Sequence, residues 1–286
     1  MDTFGPPAAD RIARSSCGVF DHLGVAGVAA STLLAAAHAQ DATSLAKAAQ
    51  NPIANMVSLP FQYNANLDFG PNRQTQHVLN IQPVYPISFN PDWNLITRTI
   101  VPLISQPAMF PGDSRQNGLG DIQLQLFFSP KQPGAGGWTW GVGPIFLAPT
   151  ASDDALGQGK WGAGPTAIAL RSEGHWLYGA LINNIWSFGG DSGRPDVNQM
   201  VLQPFVNYNV PGHPGLYFNS SPIITANWKA DSGQRWTVPL GMGVGKITKW
   251  SNQPVNLQFG AYYNVERPDF GARWDIRAQV QFLFPR

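Results

Sequence analysis

The stretch Trp138 to Leu170 reads WTWGVGPIFLAPTASDDALGQGKWGAGPTAIAL. Side chains of an extended chain alternate between two faces. On that basis Trp138, Trp140, Val142, Pro144, Phe146 and Ala148 share one face, and Thr139, Gly141, Gly143, Ile145 and Leu147 share the other. After a polar, glycine-rich connector the pattern returns. Trp161, Ala163, Pro165, Ala167 and Ala169 oppose Gly162, Gly164 and Thr166. The stretch therefore reads as a β-hairpin with one continuous apolar face, ended by tryptophan, and one face lined by glycine.

Such a hairpin needs either a second protein layer or lipid against its apolar face. The rest of the chain repeats the unit. Strand-like runs fall near 57–67, 76–86, 93–105, 119–130, 137–148, 159–171, 175–189, 196–209, 214–227, 235–248, 255–267 and 273–284. Their lengths suit tilted membrane strands of about 9–11 residues, and their even number suits a barrel with both chain ends on one side. In the last run Trp274, Ile276, Ala278, Val280, Phe282 and Phe284 oppose Arg273, Asp275, Arg277, Gln279 and Gln281, with Leu283 as the one exception. In 255–266 an apolar row opposes Asn256, Gln258, Gly260, Tyr262, Asn264 and Glu266, and in 122–129 it opposes Gln123, Gln125, Phe127 and Ser129. Half-buried soluble sheets also alternate, so the tryptophans matter more. If odd-numbered runs point outward, Trp93, Trp138, Trp140, Trp176 and Trp250 gather at one end, and Trp161, Trp186, Trp228, Trp236 and Trp274 at the other. Indole rings favour the water–lipid boundary and form two girdles around membrane barrels. The fold class expected is an all-β, transmembrane antiparallel barrel of about 12 strands. Pro60, Pro83, Pro102, Pro144, Pro165, Pro204, Pro222 and Pro239 fall inside these runs. Proline lacks a ladder donor, so each is expected at a bulge or kink.

Three segments are expected. Residues 1–39 read as a signal peptide: Arg11 and Arg14, an apolar run including Val25 to Ala37, then Ala37-His38-Ala39 as a cleavage site. Residues 40–56 form a periplasmic segment in which 41–50 reads as a short helix, capped by Asp41 or Thr43 and stopped by Pro52. It stands at the barrel mouth or partly inside, or else is a linker. Residues 57–286 form the barrel. Only 12% of residues are charged, against a usual quarter. The net charge of +1 gives no footprint for nucleic acid. The one cysteine, Cys17, lies in the signal segment, so neither a disulfide nor a thiolate metal site is expected beyond it. Past residue 39 no run approaches the 18 or so apolar residues of a membrane helix.

Several pieces resemble a Gram-negative outer-membrane barrel family whose members are labelled transporters of the meta-pathway phenol-degradation type, some under a neuromedin U label. These are Asn51-Pro52-Ile53-Ala54-Asn55 through Leu59-Pro60-Phe61-Gln62, Gly118-Leu119-Gly120-Asp121, Gly141-Val142-Gly143-Pro144 with Pro149-Thr150, and Gly159-Lys160-Trp161 before Gly164-Pro165. The resemblance implies an outer-membrane barrel with a transport role. It supplies neither a substrate nor catalytic residues.

The functional expectation is a channel or transporter for a small, aromatic or anionic solute. The alternatives are a structural or interaction barrel with a closed lumen and, third, a lipid-modifying enzyme of the outer membrane. Lumen-facing candidates are Arg98, Gln123, Gln125, Gly141, Gly143, Gly162, Gly164, Gly241, Gly243, Asn256, Gln258 and Arg277. Two readings of the glycines stay open: volume cleared for a solute, or backbone able to coil sharply. Arg98 and Arg277 sit well inside their strands, where lipid exposure is costly. Either each ties to a carboxylate such as Asp275 or Glu266, or they leave a positive constriction. Of His77, His175 and His213, none has a serine two residues on, and none reads as lying on a strong apolar strand face. No catalytic residue, metal or cofactor is expected. The expected partners are outer-membrane lipid, a small-molecule solute and, through a signal at Gln279 to Phe284, the barrel-assembly machinery.

Overall fold

A computed structural model describes Met1 and residues 42–285 of the chain. The chain divides into Met1–Ala39 and Gln40–Arg286. The expected signal peptide and Asp41 lie outside the described residues. A helix α1 spans 42–50 and stops two residues before Pro52, as the proline requires. Fifteen strands follow: β1 (Val57–Phe69), β2 (Gln74–Ile81), β3 (Val84–Ser88), β4 (Trp93–Gln106), β5 (Gln116–Leu119), β6 (Ile122–Pro130), β7 (Trp138–Ala148), β8 (Lys160–Glu173), β9 (Trp176–Gly190), β10 (Asn198–Asn209), β11 (Leu216–Ser220), β12 (Ile224–Asn227), β13 (Trp236–Trp250), β14 (Gln253–Glu266) and β15 (Trp274–Phe284). Three pairs are halves of one interrupted strand: β2 with β3, β5 with β6, and β11 with β12. That leaves twelve barrel strands, at the positions the sequence runs mark.

All pairings are antiparallel neighbours, and β1 returns to β15 from Val57↔Phe284 to Leu67↔Trp274, closing the sheet. Closure removes the exposed edges of an open sheet. The links after β3, β6, β8, β10 and β13, mostly the shorter turns, lie at the end that holds the start of β1 and the close of β15. The links after β1, β4, β7, β9, β12 and β14 lie at the other end.

The outward rows carry the apolar side chains. Met242 is 71% exposed, Leu240 59%, Phe259 55% and Val142 47%. A water-facing surface does not normally carry so continuous an apolar patch; a lipid-facing one requires it. Rings gather at both rims, as the tryptophan spacing predicts. Trp93 meets Trp140 at 5.7 Å and Trp250 meets Phe282 at 5.8 Å at the short-turn rim. Trp228 meets Trp236 at 5.4 Å and Tyr263 meets Trp274 at 5.0 Å at the opposite one.

The eight prolines have a common explanation. Each stands where the ladder lapses on one side. Pro144 faces Pro165 across β7 and β8, and the other neighbours lose pairing there: β6–β7 skips from Gln125↔Ile145 to Phe128↔Val142, and β8–β9 from Ala163↔Trp186 to Thr166↔Asn183. Pro60 and Pro83 flank the break between β2 and β3, and Pro102 faces the break between β5 and β6. Pro204, Pro222 and Pro239 border a wider lapse: β10 pairs neither β11 nor β12 over 203–205, and β13 pairs neither over 238–242. A missing N–H costs little where no partner is due.

Candidate functional site

The inner face has two halves. Ile96, Phe127, Ile168, Leu170, Leu177, Leu181 and Phe205 form a buried apolar cluster over β4, β6, β8, β9 and β10. Bulky apolar side chains thus fill part of a lumen for which many inner positions read from sequence as Gly, Asn, Gln, Ser or Thr. The facing half, from β11 through β15 to β1, is polar. Tyr217 Oη donates to Asn256 Oδ1 (2.8 Å), and Asn256 Nδ2 donates to Gln281 Oε1 (3.1 Å).

Helix α1 and residues 51–56 enter the barrel at the short-turn end. Leu45, Ala46 and Met56 pack on Ile247 and Leu283. Gln50 and Asn209 exchange amide hydrogen bonds of 2.9 and 3.3 Å, and Lys47 Nζ donates to Gly174 O at 2.9 Å. Of the two caps expected, Thr43 lies within the helix rather than before it. Asn51 Oδ1 accepts from Ile53 N (3.0 Å), an Asx turn that leads to buried Ile53 in the apolar cluster.

Above this plug is a cavity of about 140 Å³. Arg98, Asn256, Gln258 and Arg277 line it, together with Gln62, Gln203, Asn219 and Phe205. The two arginines differ. Arg277 is 5% exposed and fully engaged: Nη2 pairs with Asp275 Oδ2 at 2.9 Å, Nη1 donates to Ser221 O, Nε donates to Asn64 Oδ1, and the guanidinium lies 4.6 Å from the Tyr262 ring centre. Tyr262 Oη in turn accepts from Ser221 N at 3.2 Å. This network satisfies backbone groups that the interrupted strand leaves without a ladder partner. Arg98 Nη2 donates to Gln82 Oε1 at 2.5 Å, and among the described residues no carboxylate pairs with it. Asn219 is 4% exposed, and its Oδ1 has no hydrogen-bond partner.

The other candidates lie away from the cavity. Gln125 is buried with Oε1 unpartnered, and Gln123 is half-buried. A Cβ at Gly143, Gly164 or Gly241 would meet a neighbouring strand's carbonyl oxygen at 2.1, 1.7 or 2.0 Å, so close strand approach needs these glycines. A Cβ at Gly162 would meet Ile185 at 2.6 Å, one at Gly243 would meet Phe259 O at 2.5 Å, and Gly141 is buried against Phe127. The space above Gly245 holds the Tyr217 ring, at 2.1 Å from an added Cβ. At these positions the structure favours close packing over cleared volume.

Sequence reasoning missed two devices. The motif Gly118-Leu119-Gly120-Asp121 is a dock for the loop after β7. Asp121 accepts from Ala151 N (3.1 Å) and Gln158 N (2.5 Å), and Thr150 Oγ1 donates to Gly120 O (3.0 Å). The glycines at 118 and 120 let that loop approach, since an added Cβ would meet Ser152 or Ile104. At the same mouth, Lys160 is buried with Nζ 3.7 Å from Asp196. His77 also departs from expectation. It stands on the outer face, stacked on exposed Tyr63, whose hydroxyl lies 2.6 Å from Nδ1. Ser105 is its neighbour in register, but the Ser105 hydroxyl accepts from Arg115 Nη1 at 3.1 Å.

The chain is similar to an outer-membrane channel from Pseudomonas putida F1, with a TM-score of 0.58 and 16% identity over 80% of this chain and 94% of that one. The fold is that of a bacterial outer-membrane barrel. Outer-membrane phospholipase A from Escherichia coli overlaps at a TM-score of 0.43, with 14% identity over 81% of this chain and 92% of that one, too weak an overlap to carry an argument. No protein-family model and no curated protein sequence matches the chain.

Proposed function

We propose that the barrel resides in the bacterial outer membrane as a channel or transporter for a small solute, of the phenol-degradation transporter type that its motifs resemble. The solute is an anion with an apolar body. One observation carries this reading: Arg98 faces the lumen cavity without a carboxylate partner, whereas Arg277 is neutralised by Asp275. A cation left unpaired at such a site favours anions. The cavity is close in size to one that holds a benzene-sized ring. Phe205 and Leu181 offer an apolar wall beside the amides, and the orphan Asn219 Oδ1 suits a solute hydroxyl. An aromatic carboxylate meets all three demands. Lipid surrounds the barrel, and the assembly machinery reads Gln279 to Phe284 during insertion.

The test is reversal potential in a salt gradient across a planar bilayer. The wild type is expected to prefer anions, and Arg98→Gln to lose most of that preference. Cation preference in the wild type, or no change in Arg98→Gln, sinks the anion reading and leaves the barrel intact. The closed-lumen alternative is favoured by the plug and the apolar inner cluster. It requires zero conductance both in the whole protein and after the plug is removed.

A further inference from the structure

We propose that the outer wall carries a binding site for one phospholipid of the leaflet at the short-turn rim, with Lys246 holding its phosphate. The site begins with an anomaly. Lys246 lies on the outward row of β13 between Val244 and Thr248, exposed, four residues from Trp250 at the rim. No ion pair involves it among the described residues. A lysine facing lipid is costly near the midplane and nearly free at the interface. Four residues of tilted strand put its Cα about 10 Å inside the rim. The side chain must therefore run along the wall toward the headgroups, where phosphates are the anions within reach.

The wall beside Lys246 is shaped for a chain. An apolar trough of about 550 Å³ starts at Lys246 and crosses five strands. The register explains its form. One row runs Phe61↔Val280↔Leu257↔Lys246 and the next runs Tyr63↔Ala278↔Phe259↔Val244. The trough runs along these two rows across the strands, and Ala278, the smallest outward side chain in them, lowers its floor. Five strands span about 19 Å across the wall at the usual spacing, room for one acyl chain lying obliquely against the barrel. An apolar trough with a cation at its interfacial end matches a phosphate joined to an acyl chain. It does not match a neutral hydrocarbon, which would leave Lys246 unpaired.

The experiment is native mass spectrometry of the whole barrel, released from mild detergent after incubation with phosphatidylglycerol. One lipid per chain is expected to stay bound. Lys246→Gln is expected to weaken retention about five-fold, the worth of one lysine near a membrane surface. Ala278→Phe fills the floor and is expected to abolish retention, while Lys229→Gln at the opposite rim leaves it unchanged. Heat-modifiable migration on gels confirms that each variant is folded. The proposal is overturned by a lipid distribution no tighter than the random annulus, by equal retention in Lys246→Gln and Ala278→Phe, or by a two-chain mass that shows the trough to be an interface between copies.

Discussion

Leu283 is the position where the alternation of the last strand fails, and the failure is informative. Its neighbours on the inner row are polar, yet it is fully buried against Leu45, Ala46 and Met56. The inner face turns apolar where α1 covers it. Elsewhere parity predicts direction well. Phe259 is 55% exposed, whereas Gln258 lines the cavity. Phe259→Arg is therefore expected to cost about 2–4 kcal/mol and Gln258→Arg much less, read as loss of heat-stable barrel on gels; equal losses would contradict the assigned faces. Parity could put both Arg98 and Arg277 inward, but it could not divide their roles. Asp275 lies two residues from Arg277 on the same face and was legible as a partner. The isolation of Arg98 depends on which strands neighbour it, and residue types alone do not give that.

At the scale of elements, the twelve strand positions were legible because period-two patterning and turn residues agree along the chain. The three interruptions were not. They arise from prolines and glycines whose effect depends on the strand across the ladder, as the break at Pro83 opposite Pro60 illustrates. Helix α1 was legible in outline, but its place in the barrel rests on pairings between distant residues such as Gln50 and Asn209. That contact gives the helix a testable role. Gln50→Ala removes both amide bonds to Asn209, about 1–2 kcal/mol of docking at typical net values. Single-channel recording is expected to show longer or more frequent open events than in the wild type. A variant lacking residues 42–52 is expected to conduct more still. Unaltered conductance in both would mean that the plug does not limit passage.

At the scale of the whole molecule, the joint between the first and last strands is continuous from Val57↔Phe284 to Leu67↔Trp274. The wall is thinner in hydrogen bonds around Ser221, Pro222 and Ile223, where β10 and β13 both lose their partner. Hydrogen exchange in detergent is expected to be faster for the amides of 221–224 and 238–242 than for those of 57–67. Uniform protection would show that side chains make up the lost ladder. A cylinder strains first along its weakest lengthwise line, and here that line is not where the chain's two ends meet. Lateral pressure from the bilayer would be taken up beside Ser221, on the segment that Arg277 and Tyr262 hold from within. The joint that closes the barrel is then not the part that yields. The compliant part is a hinge line written between the strands near Ser221 and Pro239.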